Sequence, residues 1–265
     1  MPDNQLTVLV LGDVIGQSGC RAVLTSIAKL QKSHNADITI VNGENAVDGF
    51  GITPEVASRF LSAGADVITS GNHIWQKQEV FEYLDQEQRL LRPANYPGGN
   101  PGHGVYVVES KGFKVAVINL QGRDRMYPID CPFRKSKEIL RKLPADLDAR
   151  IVDFHAESVD EKEALGVHLD GHVSALYGTH THVQTADERI LESGTAYISD
   201  IGACGPRDSV IGFKADLSME RARTQLPIRN EVSNNPATIH GISLRIDRAT
   251  GRTQAISRIR EESLV

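Results

Sequence analysis

Three times in its first third, the chain runs from a short β-branched segment through a polar loop into an amphipathic stretch. Thr7 to Leu11 ends at Gly12-Asp13, and Val23, Leu24, Ile27, Ala28 and Leu30 then recur at helical spacing between Cys20 and Lys32. Ile38 to Val41 leads into Asn42-Gly43-Glu44-Asn45. Thr53-Pro54 follows as a helix start, with Thr as the cap and Pro at the first helical position, and Val56, Phe60 and Leu61 would face a core. Val67 to Thr69 ends at Ser70-Gly71-Asn72-His73. Parallel strands need such crossovers, so the repeat predicts βαβ units and a largely parallel sheet. Farther on, strands are predicted at Val105 to Val108, Lys114 to Asn119, Ile151 to Phe154 and Ala175 to Tyr177, and helices at Arg134 to Leu143 and Asp160 to Leu165. Thr238 to Ile246 and Gln254 to Ile259 read as a closing pair around Arg248-Ala249-Thr250-Gly251. With no internal repeat or linker, residues 1–265 read as one α/β domain with two sheets.

The unusual polar residues follow the predicted strands: Asp13, Glu44-Asn45, Asn72-His73, His155 and His180-Thr181-His182. Ligands bind at the carboxyl ends of strands in open α/β sheets, where loops converge. Carboxylates and Asn carbonyls are hard donors and imidazoles borderline ones, a mixture suited to manganese, iron or zinc rather than calcium or a thiolate cluster. Eight such groups are too many for one tetrahedral site and suit two adjacent ions, the arrangement that clamps both oxygens in phosphoryl displacement. Two carboxylates leave two divalent ions with net positive charge, which attracts phosphate. An extended His180-x-His182 pair would point both imidazoles to one side. Each residue also has a plainer reading: Asp13 and Glu44 as helix caps, Asn72 as turn chemistry, His155 as a core histidine, His180 and His182 as exposed loop residues.

The net charge of -5 and pI near 6.0 provide no basic field for long nucleic acid. Cys20, Cys131 and Cys204 form no Cys-x-x-Cys pair, which suits a reducing compartment. Met1 to Gln5 lacks a basic leader, and no run reaches the roughly 18 apolar residues of a membrane span, so a cytoplasmic address without membrane contact is expected.

Taken in order, Gly12-Asp13-Val14-Ile15-Gly16, Asn42-Gly43-Glu44-Asn45, Gly71-Asn72-His73, Asp153-Phe154-His155-Ala156-Glu157 and Gly178-Thr179-His180-Thr181-His182 resemble the calcineurin-like metallophosphoesterases. More closely they resemble the YmdB-like bacterial branch of 2′,3′-cyclic-nucleotide phosphodiesterases. Arg92-Pro93-Ala94-Asn95-Tyr96-Pro97, Asn119-Leu120-Gln121-Gly122-Arg123 and Val183-Gln184-Thr185-Ala186-Asp187 fit that branch, and the similarity runs from Leu9 to about Gly241. The resemblance implies a four-layer α/β sandwich, with two mixed sheets flanked by helices and the site at the strand C-terminal ends. It implies one metal on Asp13, Glu44, Asn45 and His182, and a second on Glu44, Asn72, His155 and His180, with iron or manganese favoured and zinc allowed. A hydroxide bridging the metals would attack phosphorus, and His73 would protonate the leaving oxygen. Ile15 stands where the wider superfamily has an imidazole, and Glu44 where it has a bridging aspartate; both match the YmdB-like branch, with Asn45 filling the vacancy.

The expected partner is a small phosphorylated substrate, a cyclic nucleotide foremost, and a homo-oligomer is compatible with the sequence. Rival readings are a 3′,5′-cyclic nucleotide, monoester or phosphoprotein hydrolase, or a metal-bound regulatory protein with little turnover. His103, in a Gly-Pro-rich loop, and Arg123 and Arg125, with their forked donors, are candidate substrate contacts. His34, His168, His172 and His240 read as structural or surface residues, and Asp160-Glu161-Lys162-Glu163 as an exposed helix face.

Overall fold

The computed structural model describes residues 4–263. Its first strands are β1 (Gln5–Leu11), β2 (Asp13–Val14), β3 (Ile38–Asn42), β4 (Val67–Thr69), β5 (Val105–Ser110) and β6 (Phe113–Gln121). There follow β7 (Ala149–His155), β8 (Ala175–Thr179), β9 (Arg189–Ile190), β10 (Ala196–Ile198), β11 (Ala203–Pro206), β12 (Ala237–Asp247) and β13 (Thr253–Glu262). The helices are α1 (Gly16–His34), α2 (Pro54–Ala63), α3 (Val80–Gln86), α4 (Pro132–Leu140), α5 (Val159–His168) and α6 (Ala215–Thr224).

One sheet has the order β2-β11-β12-β1-β3-β4, with β13 paired to β12. Within it β1, β3 and β4 are parallel, as the crossover pattern predicts. The sheet as a whole is mixed, because β12 joins β1 antiparallel and β13 folds back on β12 through a short turn. The second sheet runs β5-β6-β7-β8-β10-β9, with a parallel centre and antiparallel edges.

Period-two alternation sorts the side chains into layers. Leu6, Val8 and Val10 of β1 share a fully buried core with Val115 and Val117 of β6 and Ile151 of β7, so the two sheets face each other. Leu9 and Leu11 point the opposite way, onto Val23, Ile27 and Leu30 of α1 and Phe60 of α2. On the far side, Leu120 and Phe154 pack with Leu165 of α5. Helices, sheet, sheet and helices make the four layers. Each fully buried aliphatic side chain contributes about 1.5–3 kcal/mol.

Thr53 caps α2, its hydroxyl accepting from Val56 N at 3.4 Å, and Gly64 closes it with a left-handed φ of 116°. α6 buries no residue, so it has no apolar stripe for a sequence reading to find. No helix among the described residues is long and apolar enough to cross a membrane.

The strand ends are tied across the sandwich. Asp153 Oδ2, on β7, accepts from Asn42 Nδ2 of β3 at 3.0 Å and from Thr69 Oγ1 of β4 at 2.5 Å, and Asn119 Oδ1 of β6 accepts from Ser70 N at 2.9 Å. These bonds bring loops from both sheets to one place.

Candidate metal centre

Glu44 lies in the turn after β3, its N–H donating to Asn42 Oδ1 at 2.9 Å. Its fully buried carboxylate reaches the loop after β4, where Oε2 accepts from Gly71 N and Oε1 from His73 N at 2.6 Å. Asp13, equally buried, sits where β2 pairs with β11. Its Oδ2 accepts from His180 N at 3.2 Å, while Oδ1 has no hydrogen-bond partner. Asp13 does not cap α1, whose N-cap is Ile15 without a side-chain bond. Burial pushes the Asp13 carboxyl up to about 8, aided by the Asp200 charge, and burial likewise holds Glu44 well above its ordinary value.

His155 Nδ1 lies 2.9 Å from Thr179 Oγ1, which donates to Asp153 Oδ1 at 2.7 Å. With that hydroxyl proton directed to Asp153, Nδ1 carries the hydrogen and Nε2 the lone pair. Nε2 faces Asn72 Oδ1 at 3.1 Å, Glu44 Oε1 at 3.5 Å and His180 Nδ1 at 3.0 Å. Gly71 permits this, because a Cβ there would overlap the His155 ring. His182 Nδ1 donates to Ile211 O at 3.0 Å, and its Nε2 lone pair accepts from Asn45 Nδ2 at 2.9 Å. Asn45 Oδ1 lies 2.8 Å from His73 Nδ1, and Phe50 meets the His73 ring edge-on at 5.0 Å. Burial, then neighbouring histidines, lowers His73 and His180 to about 4; burial also depresses His155 strongly and His182. All four imidazoles are therefore neutral at pH 7 and able to act as lone-pair donors.

Asp13 Oδ1 has no partner, and His155 Nε2 faces the side-chain oxygens of Asn72 and Glu44 rather than a donor. Such groups are costly unless a cation lies among them, and mixed oxygen and imidazole donors fit a divalent transition ion. Among the described residues no three His, Cys, Asp or Glu side chains already stand at metal-cluster spacing. The fit rests instead on lone-pair direction and on the two Asn carbonyls.

The expected extended His-x-His is corrected. Both residues lie in the turn after β8, His180 with φ of 100° and His182 with φ of 66°, so left-handed backbone rather than strand alternation directs their rings. Asp200 secures the strained turn, accepting from Thr181 N at 3.1 Å, Thr181 Oγ1 at 2.8 Å and buried Lys162 Nζ at 3.0 Å. Within the charge run Asp160 and Glu163 are exposed as expected, but Lys162 is not, since its side chain is 1% exposed. Asp200 was legible by the same strand-end rule as the other polar residues, because it follows β10. Glu157 Oε2, 3.2 Å from His180 Nε2, is another residue of the site without an assigned role in the sequence reading.

The structure does not draw His103 into this cluster: it is exposed, and its carbonyl accepts from Arg92 N at 2.9 Å. Arg123 turns its guanidinium toward Cys131 Sγ at 3.5 Å. Arg125 instead lines a cavity of about 350 Å³ with Asn72, Met126, Tyr127 and His180.

A four-layer sandwich with imidazoles, carboxylates and Asn carbonyls gathered at the strand C-termini is the metallophosphoesterase architecture. The sequence profile of the YmdB-like protein family matches residues 9–259, and the chain belongs to that family. It is 43% identical to a Bacillus subtilis (strain 168) protein named 2′,3′-cyclic-nucleotide 2′-phosphodiesterase, over 96% of each chain. The crystal structure of a novel phosphatase from Mycoplasma pneumoniae superposes with a TM-score of 0.92 at 34% identity, covering 98% of this chain and 94% of that one. A hypothetical protein from Thermus thermophilus superposes with a TM-score of 0.91 at 36% identity, covering 97% and 100%. The chain is thus an enzyme of the phosphoesterase class.

Proposed function

We propose that the enzyme hydrolyses 2′,3′-cyclic nucleotides, breaking the bond to the 2′ oxygen and leaving a 3′-nucleotide, at a centre of two metal ions. The observation that carries this reading is the convergence of carboxyl, carbonyl and imidazole donors from both sheets at the strand ends; the Bacillus relative supports the substrate. Asp13, Glu44, Asn45 and His182 would hold one ion, and Glu44, Asn72, His155 and His180 the other, with iron or manganese best suited and zinc accommodated. Bound metal supplies Lewis acidity toward phosphoryl oxygens and a nucleophile at neutral pH.

The chain's own residues set the remaining conditions. Asn45 Oδ1 fixes the Nδ1–H tautomer of His73 and leaves Nε2 to hold and release the proton needed by the leaving oxygen. A pKa near 4 keeps His73 neutral in the free enzyme, so the charge of a bound phosphodiester must raise it before it acts as an acid. His73→Ala should therefore leave metal content intact and depress turnover of 2′,3′-cyclic AMP far more than that of bis-p-nitrophenyl phosphate, whose leaving group needs no proton. Equal losses on both substrates would remove the general-acid role.

Glu157 orients His180: a bond from Nε2–H to Glu157 leaves the Nδ1 lone pair facing His155 Nε2. Glu157→Gln should weaken metal binding roughly 10- to 100-fold, read by chelator competition. Metal analysis of natively purified protein with a cyclic-nucleotide panel tests the whole reading. Absence of stoichiometric metal, or turnover confined to monoesters, would overturn it.

A further inference from the structure

The cavity beside Asn72 and His180 is completed by three consecutive residues, Arg125, Met126 and Tyr127. They form the tip of a loop pinned at both ends. At one end the Glu161 carboxylate accepts from Arg123 N and Asp124 N, with closest distances of 2.9 and 3.1 Å, and Gly122 N donates to His155 O at 3.0 Å. At the other, Asn95 bonds Asp130 twice: Asp130 N donates to Asn95 O at 3.0 Å and Asn95 Nδ2 to Asp130 O at 2.9 Å. Arg125 is itself left-handed, with φ of 59°, and Met126 N closes the turn on Arg123 O at 3.3 Å. A tip held this firmly nevertheless leaves Tyr127 76% exposed.

We propose that this cavity is the nucleoside subsite, in which Tyr127 stacks on the base and Arg125 faces the phosphate. The inference rests on the phosphodiesterase reading above and adds to it the part of the substrate that is not phosphorus. At about 350 Å³ the cavity falls within the usual range for a small-molecule site. Its lining joins Asn72 and His180, two of the candidate metal ligands, to a guanidinium and an aromatic ring. Those groups suit a phosphate and a base on one ligand. Phe50, the aromatic residue beside His73, is less suited to the base, because its ring already braces His73 and lies 5.7 Å from Phe213. Base stacking on an aromatic ring tolerates any base, so this subsite would prefer nucleotides over simpler cyclic esters without choosing strongly among bases.

The test compares 2′,3′-cyclic AMP with 1-O-methylribose 2′,3′-cyclic phosphate, which has the same reacting ring and no base. The parent enzyme should favour the nucleotide in kcat/KM. Tyr127→Ala should shrink that preference roughly 10- to 100-fold through KM, and Tyr127→Phe should restore it. Arg125→Ala should lower kcat/KM for both esters alike. A nucleotide preference that survives Tyr127→Ala overturns the subsite. If the parent hydrolyses neither ester, the phosphodiesterase reading falls, and calorimetric binding of adenosine 3′-phosphate then decides the subsite. Weakening by Tyr127→Ala but not by Tyr127→Phe supports it; equal affinity in all three proteins overturns it.

Discussion

Asp13→Asn should abolish turnover yet make the metal-free protein more stable at pH 8. Asp13 is wholly buried, one of its oxygens has no partner, and burial together with Asp200 raises its carboxyl from 3.8 to about 8. A raised folded pKa means that the metal-free native state binds the proton more tightly than the unfolded chain. Its stabilising contribution is complete below about 4 and disappears as pH rises through about 8. Asn removes that loss, although its NH₂ group inherits an unsatisfied position. With metal present the outcome reverses, since an ion that binds only the native state stabilises it by mass action and the variant lacks a ligand. Calorimetric melts between pH 5 and 8, with and without chelator, should show a variant advantage of about 5 °C at pH 8 only when metal is absent. Turnover should fall by roughly 10³-fold or more, corresponding to the several kcal/mol that metal chemistry supplies. A variant less stable than the parent under every condition would mean that Asp13 acts as a structural hydrogen-bond acceptor rather than as a charge awaiting a cation.

The same balance explains what could be read from the sequence. Asp13, Glu44, Asn72, His155, His180 and His182 were visible because each interrupts an apolar strand pattern at its end, where no packing demand calls for a polar group. The layers were visible for a related reason: Leu6, Val8 and Val10 alternate with Leu9 and Leu11 with period two. What stayed hidden depends on pairings distant in sequence. Asp153 joins β3, β4 and β7 across 84 to 111 residues, and Glu161 reaches 38 residues back to pin the Arg123–Asp130 loop. Lys162 sits in a charged run with the composition of a solvated helix face, and only the approach of β10 supplies the anion that lets it be buried. The left-handed turns at His180 and His182 were hidden too, because neither residue type signals positive φ as glycine would.

That buried pair yields the second large effect, in which the two partners should not be equivalent. Asp200→Asn leaves the Lys162 ammonium enclosed, with its anion gone, and breaking a buried pair from one side typically costs about 3–5 kcal/mol. Lys162→Met costs less, because Asp200 keeps Thr181 N, Thr181 Oγ1 and Gly202 N as donors and a methionine fills the lysine's volume. Urea unfolding should therefore place Asp200→Asn well below Lys162→Met. The consequence extends to the candidate centre, since Thr181 separates the two histidines and its bonds to Asp200 hold their positive φ angles. Once Asp200 no longer anchors that turn, His180 and His182 relax toward ordinary backbone and their nitrogens leave the donor set. Asp200→Asn should accordingly lose metal affinity even at temperatures where it remains folded, whereas Lys162→Met should retain it. If both variants bind metal like the parent, the turn holds its shape without Asp200, and the strain at His180 and His182 must be supported by their own contacts to Asp13, Glu157 and Ile211.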